Sequence, residues 1–377
     1  MNEIQRYLAE EIALDCNAGH ITRPEALRRL HIMGLSAAVA AGLLATACSS
    51  DPSNGDRGTG MTTTTEMPAG NGQNSSGSNP GTGNTMTPGT PSQSPSVETG
   101  GSVPISPGMQ PAGMQGPGMN PPGMEPEGME PGMEEPGTDP GEIPGASVDS
   151  ALPTEAITFT GPRGELQGAF ASPANPRGAV LVIHENRGLN DHTRTVAGRL
   201  ATAGYAAIAL DLLSEEGGTA SFPDTAAATA ALGAAGNNPT RFVEDMRAAL
   251  DELERLAPGA KLGAIGFCFG GGMMWRLLAA DPRLAAVGPF YGQLPADSDF
   301  SASDAAVLAF YGETDTRINM SRDAAGAALT AAGLTHELVT EPGAGHAFFN
   351  DTGNNYNPMA AADAWKRLVT FFREHLG

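Results

Sequence analysis

The stretch KLGAIGFCFGGGMMWRLLAA, residues 261–280, decides the fold of this chain. It begins with a short apolar run typical of a buried strand and ends with GGMMWRLLAA, which is predicted to form a helix. Between them, Gly266, Cys268 and Gly270 form a GxCxG turn. A strand, this turn and a helix together predict a nucleophile elbow with cysteine in place of serine. Because the turn is very sharp, side chains two residues before and after Cys268 would collide, and glycine is expected at both positions.

The predicted helix points its N-terminus at the sulfur of Cys268, which favours the thiolate. The backbone N–H of Phe269 is expected to point to the place where an oxyanion would form. A GxCxG turn by itself is also compatible with a buried cysteine that does no chemistry. The catalytic interpretation therefore depends on finding a base and an acid elsewhere in the sequence.

Strand-like and helical segments alternate on both sides of the elbow. This alternation predicts an α/β fold with a mostly parallel sheet and helices on both faces. Functional residues are then expected at the C-terminal ends of the strands. The predicted strands are residues 155–160, 164–172, 177–185, 205–212, 261–267, 283–292, 305–312 and 335–342, and the predicted helices are 192–203, 239–256, 271–280, 322–332 and 359–375.

The base and the acid are expected after the nucleophile, with the acid first. His336 lies in a predicted strand and His375 near the C-terminus, whereas His346 lies in the Gly-rich loop GAGHAFFN that follows the last strand. Asp315 follows an apolar strand in the turn GETDTRI. A turn-forming role is the alternative for Asp315, and Glu313 is the second candidate for the acid.

The motifs GFCFGG, GETD and GAGHAFFN resemble, in this order, the three catalytic blocks of the dienelactone hydrolase family. The resemblance covers nearly all of residues 155–377 and includes a fourth block, HENRGLN. It implies that Glu185 holds the resting thiol and that the backbone N–H of Asn186 is the second oxyanion donor. A solvated surface charge is the alternative for Glu185. Arg187 and His184 lie in the same loop, where either could face the substrate, and Arg187 is our candidate for substrate binding.

The resemblance implies an α/β-hydrolase fold and the hydrolysis of an ester or lactone. Cys268 would form the acyl-enzyme, and His346, oriented by Asp315, would manage the protons. No cofactor and no metal are expected, and the predicted partner is a small-molecule ester or lactone. The alternatives are a thioesterase or broad carboxylesterase on the same fold, and a tethered binding lipoprotein without turnover.

The expected substrate differs from that of the family members that cleave dienelactone. Those enzymes carry two arginines that bind the substrate carboxylate, and the corresponding positions here hold Glu215 and Asn350. Glu215 would repel a carboxylate, and Asn350 has no charge to attract one. This departure predicts a preference for neutral lactones or esters, unless Arg187 turns inward.

The N-terminal residues 1–48 are predicted to be an export signal. Arg28 and Arg29 precede an apolar run that ends in LATAC at Cys48, the order of features in a signal peptide. The end of the run resembles a bacterial lipobox, in which Cys48 would be lipidated. The expected location is the cell envelope, with membrane contact through the lipid or an uncleaved signal anchor. Another exported form and a cytoplasmic protein are the alternatives.

A disordered linker is predicted over residues 49–152, before a catalytic domain over residues 153–377. Residues 51–150 contain no aromatic residue, and Arg57 is their only basic residue, so they cannot bury enough apolar surface to fold. The net charge of −21 argues against nucleic acid as a partner, and no protein partner is predicted. Within the linker, methionine recurs every five residues from Met109 to Met129. Copper binding and repeat expansion both explain this period.

Overall fold

A computed structural model describes residues 1–48 and 143–377, with the side chains of residues 46–48 left aside. Most of the predicted linker, including its regularly spaced methionines, lies outside the described residues. The described residues contain one eight-stranded sheet in the order β1-β2-β4-β3-β5-β6-β7-β8. Its strands are β1 Glu155–Gly161, β2 Gly164–Ala171, β3 Gly178–Ile183, β4 Tyr205–Leu210, β5 Leu262–Phe267, β6 Leu284–Phe290, β7 Ala306–Gly312 and β8 His336–Glu341.

The sheet is parallel from β4 to β8, and only the hairpin β1–β2 and the pair β2–β4 are antiparallel. Every residue of β3, β4 and β5 is buried. Strands covered on both faces need continuous apolar sequence rather than alternation, and the runs at residues 178–183, 205–210 and 262–267 provide it. The predicted α/β fold and its strands are confirmed.

Ten α-helices lie in the described residues, and the predicted ones agree within about two residues. The helix over Thr225–Ala235 was not predicted, because its alanine-rich sequence has little apolar periodicity. The helices are α1 Glu3–Asn17, α2 Arg23–Ile32, α3 Ala37–Cys48, α4 Asp191–Thr202, α5 Thr225–Ala235, α6 Pro239–Leu256, α7 Phe269–Ala280, α8 Thr316–Asn319, α9 Arg322–Ala331 and α10 Pro358–His375.

The C-terminal fold begins about ten residues before the predicted boundary at residue 153. Within residues 143–152, the carbonyl of Gly145 accepts a hydrogen bond from Nε of Arg199 at 2.7 Å. The Trp365 indole donates to the carbonyl of Pro144 at 3.0 Å, and Leu152 N–H donates to Gly198 at 3.1 Å. The end of the predicted linker is therefore part of the folded domain.

The helices α1, α2 and α3 pack against one another, and α1 and α2 also contact α5. Ile4, Leu8 and Ile12 of α1 are buried in the same core as the C-terminal fold, and Glu3 of α1 pairs with Arg276 of α7 at 2.7 Å. None of the helices in the described residues has the length and apolar character needed to span a bilayer. Export and lipidation at Cys48 stay predictions.

Candidate active site

Cys268 occupies the turn between β5 and α7, with the backbone angles φ 54° and ψ −115°. A positive φ is uncommon for a residue with a side chain. A Cβ atom on Gly266 would lie 2.2 Å from the carbonyl oxygen of Gly270, and one on Gly270 would lie 2.4 Å from that of Ile183. The predicted sharp elbow and its need for two glycines are both present in the structure.

His346 and Asp315 meet at the same edge of the sheet, after β8 and β7 respectively. Nδ1 of His346 lies 2.6 Å from Oδ2 of Asp315. The other oxygen of Asp315 accepts the Ile318 N–H at 3.2 Å, which fixes the carboxylate at the start of α8. The rival acid, Glu313, instead accepts the backbone N–H of Gly343 at 2.7 Å and so holds the loop that carries the histidine.

The sulfur of Cys268 and a ring nitrogen of His346 lie within 4.8 Å of each other. Burial lowers the pKa of His346, but the negative charges of Asp315 and Cys268 outweigh burial and raise this pKa to about 10. The resting histidine is therefore protonated near neutral pH. A protonated imidazole beside a cysteine sulfur is the arrangement in which a cysteine nucleophile is commonly found.

Glu185 lies in the loop after β3, and 5% of its surface is exposed. Its carboxylate accepts a hydrogen bond from Nδ2 of Asn350 at 2.7 Å and one from the Tyr291 hydroxyl at 3.3 Å. Burial and the charge of Glu185 raise the pKa of Tyr291 well above its usual value, so this hydroxyl remains a donor. Among the described residues, the hydrogen bonds of Glu185 go to these two partners rather than to Cys268.

The residues on either side of Glu185 have different surroundings. His184 is fully buried, and its Nε2 accepts the N–H of Leu212 at 3.1 Å, so it supports the loop rather than facing substrate. Asn186 and the exposed Arg187 line a cavity of about 230 Å³ together with Cys268 and His346. The location is compatible with their predicted roles in oxyanion and substrate binding, and these roles stay predictions.

The position of Phe269 is compatible with its predicted role as an oxyanion donor, and this role stays a prediction. Phe269 is the first residue of α7, and the first N–H groups of a helix have no acceptor within it. The adjacent positive end of the helix dipole also favours a developing negative charge.

Glu215 does not face the cavity in the way that the sequence suggested. It pairs with Arg163, and it lies 3.4 Å from Arg241. It is also absent from the residues that line the cavity. Its carboxylate is therefore held by two guanidinium groups away from the cavity, and the expected repulsion of acidic substrates loses this support. Asn350 lines the cavity, but its amide nitrogen is used by Glu185.

Three residues near the nucleophile were missed by the sequence analysis. The hydroxyl of Tyr7 in α1 lies 3.3 Å from the sulfur of Cys268. Oε2 of Glu11, one turn further along α1, lies 3.4 Å from Nε2 of His346. Glu11 also contacts the guanidinium of Arg317 in α8. The spacing of Tyr7 and Glu11 by four residues puts both on one face of a helix, but this spacing alone does not identify what that face contacts.

One set of side chains at this site could hold a metal ion. The ligand atoms of Glu11, Cys268 and His346 all lie within 4.8 Å of one another, and thiolate, imidazole and carboxylate are ligands that zinc accepts. The guanidinium of Arg317 on Glu11 competes with a cation for this carboxylate. The arrangement thus favours an ion pair between protein groups over a metal centre.

The profile of the dienelactone hydrolase family matches residues 166–376 of this chain. The chain belongs to the dienelactone hydrolase family. A relative from Salmonella typhimurium named "Putative carboxymethylenebutenolidase" is 31% identical over 251 residues, which cover 61% of this chain and 90% of the relative. A relative of the same name from Synechocystis is 32% identical over 247 residues, covering 60% and 98% of the two chains.

A solved structure of a dienelactone hydrolase-like protein is also similar to this chain. The crystal structure titled "Dienelactone Hydrolase-like Promiscuous Phospotriesterase P91 from Metagenomic Libraries" has a TM-score of 0.54 and 26% identity, and the match covers 60% of this chain and all of that one. Membership in the family makes this dienelactone hydrolase homologue an ester or lactone hydrolase of the α/β-hydrolase fold.

Proposed function

We propose that the enzyme hydrolyses its ester or lactone substrate through a thioester on Cys268. The observation that carries this proposal is the strained elbow, which presents Cys268 beside a histidine whose other nitrogen is 2.6 Å from Asp315. A buried cysteine without a chemical role would need neither the positive φ nor an ordered histidine–carboxylate pair. A binding protein without turnover would also gain nothing from this pair.

The reaction begins when the thiolate of Cys268 attacks the carbonyl carbon. The carbonyl oxygen becomes an oxyanion, which the N–H groups of Phe269 and Asn186 stabilise. The oxyanion collapses and expels the alkoxide, which takes a proton from His346 and leaves a thioester on the enzyme. Neutral His346 then removes a proton from water, and the hydroxide attacks the thioester. The acid product leaves, and the thiolate–imidazolium pair is restored.

Asp315 and Glu185 have supporting roles in this scheme. Asp315 fixes the tautomer of His346 and stabilises the imidazolium. Glu185 is held by Tyr291 and Asn350 beside the same cavity. Its predicted contact with the resting thiol would be made beside these hydrogen bonds or in exchange for one of them.

The decisive experiment replaces the nucleophile in the full chain. Cys268→Ala is expected to lower ester hydrolysis by about 10³-fold or more, because the members of a catalytic triad act as a unit. Cys16→Ala is the matched control, since Cys16 is the other free cysteine among the side chains that the structure describes, and its activity is expected to stay near that of the parent. Intact-mass measurement after rapid quenching should detect the acyl group on the parent and not on Cys268→Ala. Full activity in Cys268→Ala would overturn the mechanism.

We also propose that the chain is exported and that Cys48 becomes its lipidated N-terminus. The support is the sequence order of Arg28 and Arg29, an apolar run and LATAC. Mass spectrometry of the protein from its native cells tests this proposal: a lipid-modified Cys48 terminus is expected, and a chain that keeps its Met1 terminus would contradict it.

A further inference from the structure

Helix α1 lies over the catalytic residues and presents one face to them. Tyr7, Glu11 and Asp15 recur every four residues on this face. Tyr7 reaches Cys268, Glu11 reaches His346, and Asp15 lines the catalytic cavity. Burial and the charge of Cys268 raise the pKa of Tyr7 well above its usual value, so its hydroxyl stays neutral beside the sulfur. Both reacting atoms are thus in contact with α1.

Two cavities lie beside α1, and residues of this helix line both of them. On one side lies the catalytic cavity of about 230 Å³, lined by Glu11, Cys268 and His346. On the other side lies a cavity of about 490 Å³, lined by Tyr7, Phe269 and Arg317. Side chains of α1 thus line both cavities, and Tyr7 and Glu11 lie against the sulfur of Cys268 and the ring of His346, where a bound substrate would have to lie.

The charges under α1 are complementary to a carboxylate. Glu11 is 7% exposed and contacts Arg317, and it faces the protonated ring of His346 at 3.4 Å. The side chain of Arg317 is 11% exposed, and its guanidinium lies over the Tyr7 ring at 4.4 Å and 3.4 Å from Oε1 of Gln293. Burying an unpaired guanidinium is costly, so while α1 covers Arg317 the carboxylate of Glu11 supplies the anion that this position requires.

We propose that α1 is an intramolecular substrate mimic, and that its Glu11 carboxylate occupies the place where Arg317 binds an anionic group of the substrate in the open enzyme. The inference rests on the proposed role of Cys268 as the nucleophile. It makes Arg317 a specificity residue for esters or lactones that carry a carboxylate. It also replaces the expectation of a neutral substrate, because Arg317 is the positive charge that the sequence analysis did not find.

Attachment makes the closed state favourable. A segment tethered to its binding site has a high effective concentration, so even weak contacts keep the site occupied. The contacts of α1 include the buried Ile4, Leu8 and Ile12, and the ion pair of Glu3 with Arg276. Substrate must displace this helix, so the full chain is expected to turn over slowly. Cleavage before Cys48, as proposed for export, would remove α1 together with the rest of the signal.

The first experiment measures access to the nucleophile and does not depend on turnover. The rate at which iodoacetamide alkylates Cys268 is measured in the full chain by intact mass and peptide mapping. Glu11→Ala is expected to raise this rate at least tenfold, because Arg317 loses its anion and α1 is released more often. Glu11→Gln, which keeps the size of the side chain, should show a smaller increase in the same direction. Glu10→Ala, the adjacent glutamate on the same helix, should leave the rate unchanged.

The second experiment measures specificity in the Glu11→Ala chain. It compares kcat/KM for a half-ester that has a free carboxylate with kcat/KM for its dimethyl ester. The half-ester is expected to be preferred, and a further Arg317→Gln substitution should lower kcat/KM for the half-ester at least tenfold while changing that of the diester less than twofold. Circular dichroism of each variant checks that it is folded.

The outcomes separate the two proposals. Equal alkylation rates in the parent, Glu11→Ala and Glu11→Gln would overturn the closure by α1. A preference for the diester, or an equal loss on both substrates in Arg317→Gln, would overturn the role of Arg317. Neither result tests the role of Cys268 as the nucleophile. That role would be contradicted only if Cys268→Ala still hydrolysed the substrate.

Discussion

The elbow around Cys268 and the helix α1 both contact the reacting atoms, but only the elbow could be found in the sequence. The elbow is local: strand, turn and helix follow one another within residues 261–280, and its glycines are required by a steric contact two residues from the nucleophile. The contact of α1 joins Tyr7 to Cys268, positions 261 residues apart in the chain. A sequence motif can indicate a local constraint such as the elbow, but it does not indicate a contact between distant positions such as that of Tyr7 with Cys268.

The two regions also differ in role, because the elbow belongs to the catalytic machinery and α1 is proposed to control access to it. The residues of the elbow, together with His346 and Asp315, are those that acyl transfer requires. The residues of α1 have no step in that reaction, yet they contact the sulfur and the histidine. Regulation can thus be built from side chains that no catalytic motif contains.

The largest effect among the comparisons below is expected from the acid of the predicted triad. Asp315→Asn should lower turnover by about 10³-fold, because the amide cannot stabilise the imidazolium of His346. Glu313→Gln is the matched control: this side chain holds the Gly343 N–H rather than the histidine, and its loss should lower turnover by less than about tenfold. The measurement is kcat in the Glu11→Ala chain, in which the site is expected to be open. A reversed order of the two variants would show that the acid was assigned to the wrong carboxylate.

Much of the catalytic edge could be predicted, because parallel strands end together. Cys268, Asp315 and His346 follow β5, β7 and β8, and the sheet brings those ends to one edge. Glu185 was found only through family resemblance, and its hydrogen bonds to Tyr291 and Asn350 could not be predicted from spacing.

Arg317 and Glu215 show why charged residues near a motif are harder to place. Arg317 lies two residues after Asp315 within the motif GETDTRI, yet only the short helix α8 turns it toward the nucleophile. Glu215 has the position of a substrate-binding residue in the family, but the guanidinium groups of Arg163 and Arg241 hold it elsewhere. The partners of a long charged side chain depend on which residues the fold brings near it. Sequence position alone therefore does not show which charged side chains line a pocket.

A pair of glycines in α7 tests whether the elbow is fixed by backbone contact. Gly270→Ala should destabilise the fold by about 3 kcal/mol, since its Cβ would lie 2.4 Å from the Ile183 carbonyl oxygen. Gly272→Ala should leave stability unchanged or raise it by up to about 1 kcal/mol, because its Cβ would come no closer than 3.5 Å to the Gln293 oxygen. Urea denaturation of the two variants gives the comparison. Equal stabilities would mean that the close approach at Gly270 is relieved by a small shift of the backbone.

The last comparison concerns the pH dependence of stability, and it tests the charge pairing at the elbow. The pKa of His346 is raised from 6.5 to about 10 by Asp315 and Cys268, against the effect of burial. Between these two pH values the folded chain binds this proton more tightly than the unfolded chain does. The stabilisation is therefore fully present below about pH 6.5, and it is lost as the pH rises through about 10. One linked proton changes the free energy of unfolding by at most about 1.4 kcal/mol per pH unit, so the total is a few kcal/mol.

The measurement is urea denaturation at several values from pH 6 to pH 10 for the parent, His346→Gln and His336→Gln. His336 binds the carbonyl of Leu334 and has no catalytic partner, so His336→Gln should follow the parent curve. His346→Gln should be less stable at pH 6, and its difference from the parent should shrink toward pH 10. Parallel curves for the parent and His346→Gln would show that the histidine is not charged in the folded enzyme, and the thiolate–imidazolium pair would then be ruled out as the resting state.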